Sequence, residues 1–163
     1  LNSPELIPAS SHGTVIPGNR AIDISSRETR IERWFHPYHD AVETVLRERI
    51  RQRIMPVVIA IHSMTPNLNG RSRPWPVALS SDADRRLANL ILAALRQPGD
   101  ILVGDNEPYR VDPLVDYSIP FHALRRGLLN VQLEFRQDEI NTPAGQQYWA
   151  LRVAHVLQAA KLD

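Results

Sequence analysis

The chain has 163 residues, 43% of them apolar, which is enough for one domain with a full hydrophobic core. Its 19 Lys and Arg residues nearly balance 18 Asp and Glu residues, and a net charge of +1 argues against a nucleic-acid-binding or membrane-surface protein. No cysteine is present, so disulfides and thiolate metal sites are excluded and any metal must bind His, Asp or Glu. The sequence shows no apolar run of membrane-spanning length and no signal peptide, and we expect a cytoplasmic protein.

The first predicted elements are a loop and a long helix. Residues 1–24 contain three prolines and no sustained period, which indicates a loop segment. Ser25 and Glu28 form a capping box, S-x-x-E, and apolar residues then recur at helical spacing as far as Ile50. Pro37 lies inside that pattern, and we expect it to kink the helix or to split it.

The next element is an apolar run, "MPVVIAIH", over residues 55–62. It predicts a strand buried on both faces of a parallel sheet and ending at His62. A polar loop is expected from Ser63 to about Ser80. Ser81 is predicted to cap a helix that runs to the break at Pro98 and Gly99.

The second half of the chain continues the alternation. We predict a strand over 100–105, a long loop, a helical piece "FHALRRG" ended by Gly127, a strand over 128–136, and a last helix from Thr142 to about Leu162. This order predicts an α/β fold, a mostly parallel (mixed) sheet flanked by helices. Ligands in such folds bind beyond the carboxyl ends of the strands, which directs attention to His62 and to the last strand.

The last strand has one polar face. In "VQLEFR", Gln132, Glu134 and Arg136 point to one side and the alternating apolar residues to the other. At a sheet edge this face would simply be solvated. In a central strand the charges would be buried, and a buried carboxylate needs a cation, a metal or a functional task.

The histidines and arginines allow more than one interpretation. His62 is either a metal ligand or a hydrogen-bonded residue at the end of a strand, and His36 and His39 are interpreted as packing residues although their i, i+3 spacing suits a two-histidine site. Arg71 and Arg73 belong either to a solvated loop or to a clamp for a carboxylate.

Six stretches, in order and over nearly the whole chain, resemble the N-formylglutamate amidohydrolase family. They are "GTVIPGN" (13–19), "FHPYHDAV" (35–42), "IHSMTP" (61–66), "RPWPVAL" (73–79), "GDNEPY" (104–109) and "GLLNVQLEFRQDEI" (127–140).

The resemblance implies a zinc-carboxypeptidase-like fold and a zinc-dependent hydrolase. Such an enzyme cleaves N-formyl-L-glutamate or a related N-acyl amino acid to formate and the free amino acid. By resemblance, His62 is a zinc ligand and Glu134 is the general base and acid. The remaining roles are assigned by position: His122 stabilises the oxyanion, and the substrate is bound by Arg73, Arg136, Asn106 and Tyr109.

The family also has a segment before "IPGN" that holds further metal ligands, and this chain starts after it. We therefore expect residues 1–163 to form a single α/β domain that is the C-terminal part of a longer hydrolase domain. Two alternatives stay open. One is a non-catalytic carboxylate-binding member or inactive fragment of the family, and the other is a structural α/β domain whose polar strand is an exposed edge.

Overall fold

A computed structural model describes residues 3–160 of the chain. The chain divides into two compact units. The first comprises the residues up to Met55 together with Pro113–Tyr117, and the second comprises Pro56–Asp112 and the residues from Ser118 onward. Among the described residues, no helix combines the length and the apolar character needed to cross a membrane. The interpretation of residues 1–163 as a single domain stays a prediction.

The first unit begins with short turns and a small hairpin, in agreement with the loop predicted for residues 1–24. These elements are a 3₁₀ turn at Pro4–Leu6, the antiparallel pair β1 (Ser10–Ser11) and β2 (Thr14–Val15), and a second 3₁₀ turn at Pro17–Asn19. Helix α1 (Ile24–Arg30) follows them.

The N-cap of α1 differs from the prediction. Asp23 caps the helix, since its carboxylate accepts hydrogen bonds from the backbone N–H of Ser26 at 2.8 Å and from the Ser26 hydroxyl at 2.7 Å. The predicted capping box of Ser25 and Glu28 is therefore wrong. Both carboxylate oxygens of Asp23 accept hydrogen bonds from Ser26, and these bonds lower the pKa of Asp23.

Pro37 does not break the helical path. Residues Ile31–Phe35 form a π-helical turn, and helix α2 (His36–Arg51) continues from it with Pro37 in its first turn. Proline has no N–H to donate, and the widened turn before it provides a place where this loss is absorbed. The helix is therefore not split in two at Pro37, and a kink there stays a prediction.

The second unit is built on a four-stranded mixed sheet in the order β3-β8-β6-β7. The strands are β3 (Val58–Met64), β6 (Val77–Ser80), β7 (Val103–Asp105) and β8 (Asn130–Arg136). β3 pairs with β8 and β6 with β7 in parallel, and β6 pairs with β8 antiparallel. A small hairpin of β4 (Asn67–Leu68) and β5 (Arg71–Ser72) lies between β3 and β6. The predicted α/β class with a mixed, mostly parallel sheet is confirmed.

Two strand predictions require correction. β3 lies at an edge of the described sheet and is half exposed, so the prediction of a strand buried on both faces is wrong. It also continues to Met64, so His62 lies inside the strand. β6 is fully buried but was predicted as loop, because its four residues sit among prolines and polar residues.

Helices α3 (Arg86–Arg96) and α4 (Pro143–Ala159) bury their apolar residues against one face of this sheet. The core on this face contains Val77, Leu79, Leu87, Ala88, Ile91, Leu92, Leu95, Val103, Val131, Leu133, Phe135, Trp149 and Val156.

The start of α4 is as predicted, since the Thr142 side chain accepts the backbone N–H of Gly145 at 3.1 Å. Ser81 does not cap α3, which begins only at Arg86. The predicted end of α4 near Leu162 lies outside the described residues. The predicted helical piece before Gly127 is present as a π-turn (Ser118–Ala123) followed by a 3₁₀ turn (Leu124–Arg126), and Gly127 ends it with a φ of 65°.

Candidate active site

The centre of the candidate site is a histidine beside a buried carboxylate. His62 of β3 and Glu134 of β8 are direct partners in the parallel register, so both side chains emerge on the same face of the sheet. The Nδ1 atom of His62 lies 3.5 Å from Oε1 of Glu134. The Glu134 side chain is 4% exposed and the His62 side chain is 48% exposed. The structure therefore brings together the two residues that sequence reasoning selected independently, and it excludes an exposed position for Glu134.

Gln132 supports this carboxylate. Its Nε2 atom donates a hydrogen bond to Oε1 of Glu134 at 2.8 Å, and both side chains are buried. Sequence reasoning placed Gln132 on the polar face of the strand but gave it no role. The sequence does indicate this contact, since residues two apart on a strand point to the same face, which places Gln132 beside Glu134.

Strand β6 forms the opposite side of the site. Ala78 is paired with Glu134 and Ser80 with Gln132, so these residues also face the site. The Ser80 hydroxyl donates to the carbonyl oxygen of Tyr109 at 2.8 Å. The loop after β7 therefore runs along the face that carries Glu134.

A close backbone approach at Gly104 permits this path. A Cβ atom at Gly104 would lie 2.7 Å from both the Ala78 Cβ and the carbonyl oxygen of Glu107, and 3.1 Å from the ring of Trp75. No side chain fits there, and glycine lets the loop cross close above the sheet.

Arg73 is a buried cation at this site. It is 5% exposed, and its Nη2 atom donates to the Tyr109 hydroxyl at 2.6 Å while its Nη1 atom donates to the carbonyl oxygen of Thr65 at 3.4 Å. Its guanidinium also lies 4.8 Å from the centre of the Tyr109 ring. Arg73 has no carboxylate partner among the described residues. A buried positive charge without a counter-charge is costly, and an anionic ligand would lower this cost.

Arg136 differs from Arg73 because its charge is balanced internally. Its guanidinium bonds Asp138 at 2.7 Å and Glu139 at 2.8 Å, and it also donates to the carbonyl oxygens of Arg73 and Pro74. The pKa of Asp138 is lowered mainly by its hydrogen bonds from Arg136. These contacts fix the segment that carries Arg73, and a substrate role of Arg136 stays a prediction.

Asn106 holds the loop at the far end of β6. It adopts a left-handed backbone with a φ of 53°, its N–H donates to the carbonyl oxygen of Leu79 at 2.8 Å, and its Oδ1 atom accepts the Ser81 N–H at 2.8 Å. Its Oδ1 atom is therefore engaged with Ser81, and its predicted substrate contact stays a prediction.

His122 lies inside the protein, on the segment Ser118–Ala123, which contacts β3 and β8. It is 1% exposed, and its ring packs edge-on against Phe121 at 5.1 Å between centroids. The position beside the two site strands is compatible with the predicted oxyanion role, which stays a prediction.

The other candidate residues are structural or exposed. His39 stacks between Phe35 at 4.3 Å and Tyr117 at 4.4 Å in the first unit, which agrees with the packing interpretation. His36 faces Glu32 at 3.5 Å. Arg71 is exposed on the β4–β5 hairpin.

The described residues do not complete a catalytic zinc site. Such a site takes three protein ligands, and within residues 3–160 no group of three or more His, Cys, Asp or Glu side chains is arranged to hold a metal. The contact of His62 with Glu134 supplies two candidate groups only.

Comparisons with known proteins give a family and a fold. A family model of N-formylglutamate amidohydrolase matches residues 1–141. The chain is 34% identical to a gene product of Agrobacterium tumefaciens of known crystal structure, with a TM-score of 0.90 over 98% of this chain and 63% of that one. It also shares the fold of the N-formylglutamate amidohydrolase from Ralstonia eutropha, with 18% identity and a TM-score of 0.64 over 85% of this chain and 54% of that one.

A search of curated proteins gives no match. The chain thus spans about half to two thirds of the two solved proteins. The extent of the family match shows that this chain belongs to the N-formylglutamate amidohydrolase family.

Proposed function

We propose that this chain carries part of the active site of an amidohydrolase that converts N-formyl-L-glutamate, or a related N-acyl amino acid, to formate and the free amino acid. The observation that carries the proposal is the buried Glu134 carboxylate 3.5 Å from His62, on the sheet face that Tyr109 and Arg73 border. Family membership supports the reaction class.

Glu134 is the group that moves protons in this proposal. Its carboxylate accepts a proton from a water molecule while the water oxygen bonds to the formyl carbon. The carbon–nitrogen bond then breaks, and Glu134 returns the proton to the leaving nitrogen. The products are formate and an amino acid with a free amine. His122, beside the same strands, would stabilise the negative charge that develops on the formyl oxygen.

Arg73 is the proposed partner of a substrate carboxylate. Its planar guanidinium suits two parallel hydrogen bonds to a carboxylate, and its own carboxylate partners are absent from the described part of the chain. Tyr109 fixes the guanidinium from one side, and Asn106 and Arg136 hold the two segments on which Tyr109 and Arg73 lie.

Zinc is part of the proposal as the cofactor, with His62 as one ligand. The described residues do not complete its coordination. A cytoplasmic location and a small N-acyl amino acid as the partner, without nucleic acid or membrane, are also proposed, from the balanced charge and the sequence pattern.

A second candidate function is carboxylate binding without turnover. The observation that favours it is Arg73 itself, because a buried guanidinium would bind an acidic amino acid whether or not chemistry follows. In that case the ligand raises the thermal stability of the protein, and no formate is released.

The experiment that decides is formate release from N-formyl-L-glutamate by the purified full-length protein, with and without added zinc. We expect turnover that His62→Ala lowers by at least about 100-fold, a loss typical of a residue at the reacting centre. His155→Ala is the matched control, since His155 is exposed on α4, away from the site face. Unchanged turnover in His62→Ala would contradict the proposal, and thermal stabilisation without turnover would favour the binding function.

A further inference from the structure

We infer that Gln132 is a positioning residue, whose side-chain amide holds one oxygen of Glu134 so that the other oxygen faces the reacting group. This inference rests on the proposed function, since it assigns separate tasks to the two oxygens of the proposed base.

The contact has only one chemically sensible direction. Gln132 and Glu134 are two residues apart on β8, are 6% and 3% exposed, and point to the same face of the sheet. The Nε2 atom of Gln132 donates to Oε1 of Glu134 at 2.8 Å. A carboxylate that serves as the proposed base is ionised and can only accept this bond.

The two oxygens of Glu134 have different surroundings. Oε1 accepts the Gln132 amide and is also the atom 3.5 Å from Nδ1 of His62. Within residues 3–160, the hydrogen bond donated to this carboxylate goes to Oε1 and not to Oε2. Oε2 is therefore the oxygen from which a proton can pass to and from water or substrate, while Oε1 anchors the group.

The backbone of Gln132 is held in place by both neighbouring strands. Gln132 is paired with Ser80 of β6 on one side and with Ala60 of β3 on the other. A glutamate side chain has three rotatable bonds, and small displacements of a reacting atom lower catalytic rates strongly. The hydrogen bond to Oε1 restricts rotation of the Glu134 side chain and so holds Oε2 in one position.

The test is steady-state formate release by Gln132→Met, which keeps the length of the side chain and removes the donor. We expect kcat to fall about 10- to 100-fold, the scale of a lost hydrogen bond to a charged group, while KM stays within about twofold. The melting temperature should fall, because the buried Glu134 carboxylate loses a hydrogen-bond donor, so kcat is compared at a temperature at which both proteins are folded. Gln132→Leu is the second variant, judged by the same criteria.

The matched control is Asn130→Leu. Asn130 lies on the same strand and the same face, is 1% exposed, and donates to the carbonyl oxygen of Leu128 instead of to Glu134. We expect its kcat to stay within about twofold of the wild-type value. A wild-type kcat in both Gln132 variants, or an equal loss in Asn130→Leu, would overturn the inference.

A measurement without turnover separates this inference from the proposed function. If the wild-type protein releases no formate, the proposed function fails. The side-chain rotamers of Glu134, measured by NMR couplings in wild type and in Gln132→Met, then decide the role of Gln132. One rotamer in wild type and several in the variant supports the positioning role, and the same distribution in both proteins overturns it.

Discussion

Strands β3 and β8 are parallel neighbours of seven residues each, and their burial is the reverse of what their sequences indicate. β3 is the more apolar strand, yet Ile61 is 61% exposed and the residues after it are also largely exposed until Met64. β8 alternates apolar with polar and charged residues, yet its first six residues are buried. Position in the sheet, at an edge or in the centre, decides burial here, and composition does not.

The two faces of β8 also differ in their roles. On the helix side, β8 contributes Val131, Leu133 and Phe135 to the core. On the other side it presents Gln132 and Glu134, whose burial is unfavourable except where hydrogen bonds or charge pairing offset it. One central strand thus stabilises the fold with one face and carries the candidate site on the other.

The largest expected effect is on the free energy of unfolding, when one apolar residue from each strand is replaced by alanine. Leu133→Ala should destabilise the protein by about 3 kcal/mol, because it leaves a cavity at a fully buried position. Ile61→Ala, in the register partner of Leu133, should cost less than about 1 kcal/mol because Ile61 is largely exposed. Urea unfolding measures both variants. Equal losses would mean that β3 is covered in solution and that the contrast between the strands fails.

The second effect concerns the buried cation beside the site. Arg73→Gln should raise KM for an N-formyl amino acid about 10- to 100-fold, with a smaller change in kcat, because it removes a charged hydrogen-bond partner of the substrate carboxylate. Formate-release kinetics measure it.

Arg71→Gln is the control for Arg73, since Arg71 lies two residues earlier and is exposed. Its KM should remain near the wild-type value. If both variants leave KM unchanged, Arg73 has a structural role only and does not bind the substrate carboxylate.

The smallest effect lies just beyond the end of β8. Arg136 lowers the pKa of Asp138 below its ordinary value of 3.8, so the ionised form of Asp138 stabilises the fold. That stabilisation is fully present at pH 7 and is lost as the pH falls through the lowered pKa, below about 3.8. Asp138→Asn should therefore be slightly less stable than wild type at pH 7, and the difference should shrink by pH 3. Urea unfolding of wild type and Asp138→Asn at both pH values measures the difference.

Much of this arrangement could be predicted from the sequence, and the failures have physical causes. The alternation of helices and strands predicted the α/β class, and the parity of "VQLEFR" predicted a carboxylate on a polar strand face. Thr142 with Pro143 predicted the start of α4, because both the cap and the missing N–H act locally.

The missed features depend on residues distant in the chain. The short strand β6 is defined by its partners on both sides, and its own four residues carry no strong pattern. The edge position of β3 depends on the strand order in the sheet, which periodicity does not report. The support of Glu134 by Gln132 and the bond of Arg73 to Tyr109 depend on side-chain geometry, and in the second case on a loop 36 residues away.

Glu134→Gln tests the central claim most directly, because it replaces the buried carboxylate with a neutral group of the same shape. If Glu134 is present for chemistry, the free energy of unfolding should stay within about 1 kcal/mol of the wild-type value or rise, since a buried charge is removed. Formate release should fall by at least about 100-fold. A variant that loses about 2 kcal/mol or more of stability while it keeps wild-type turnover would contradict the account and make Glu134 a structural residue.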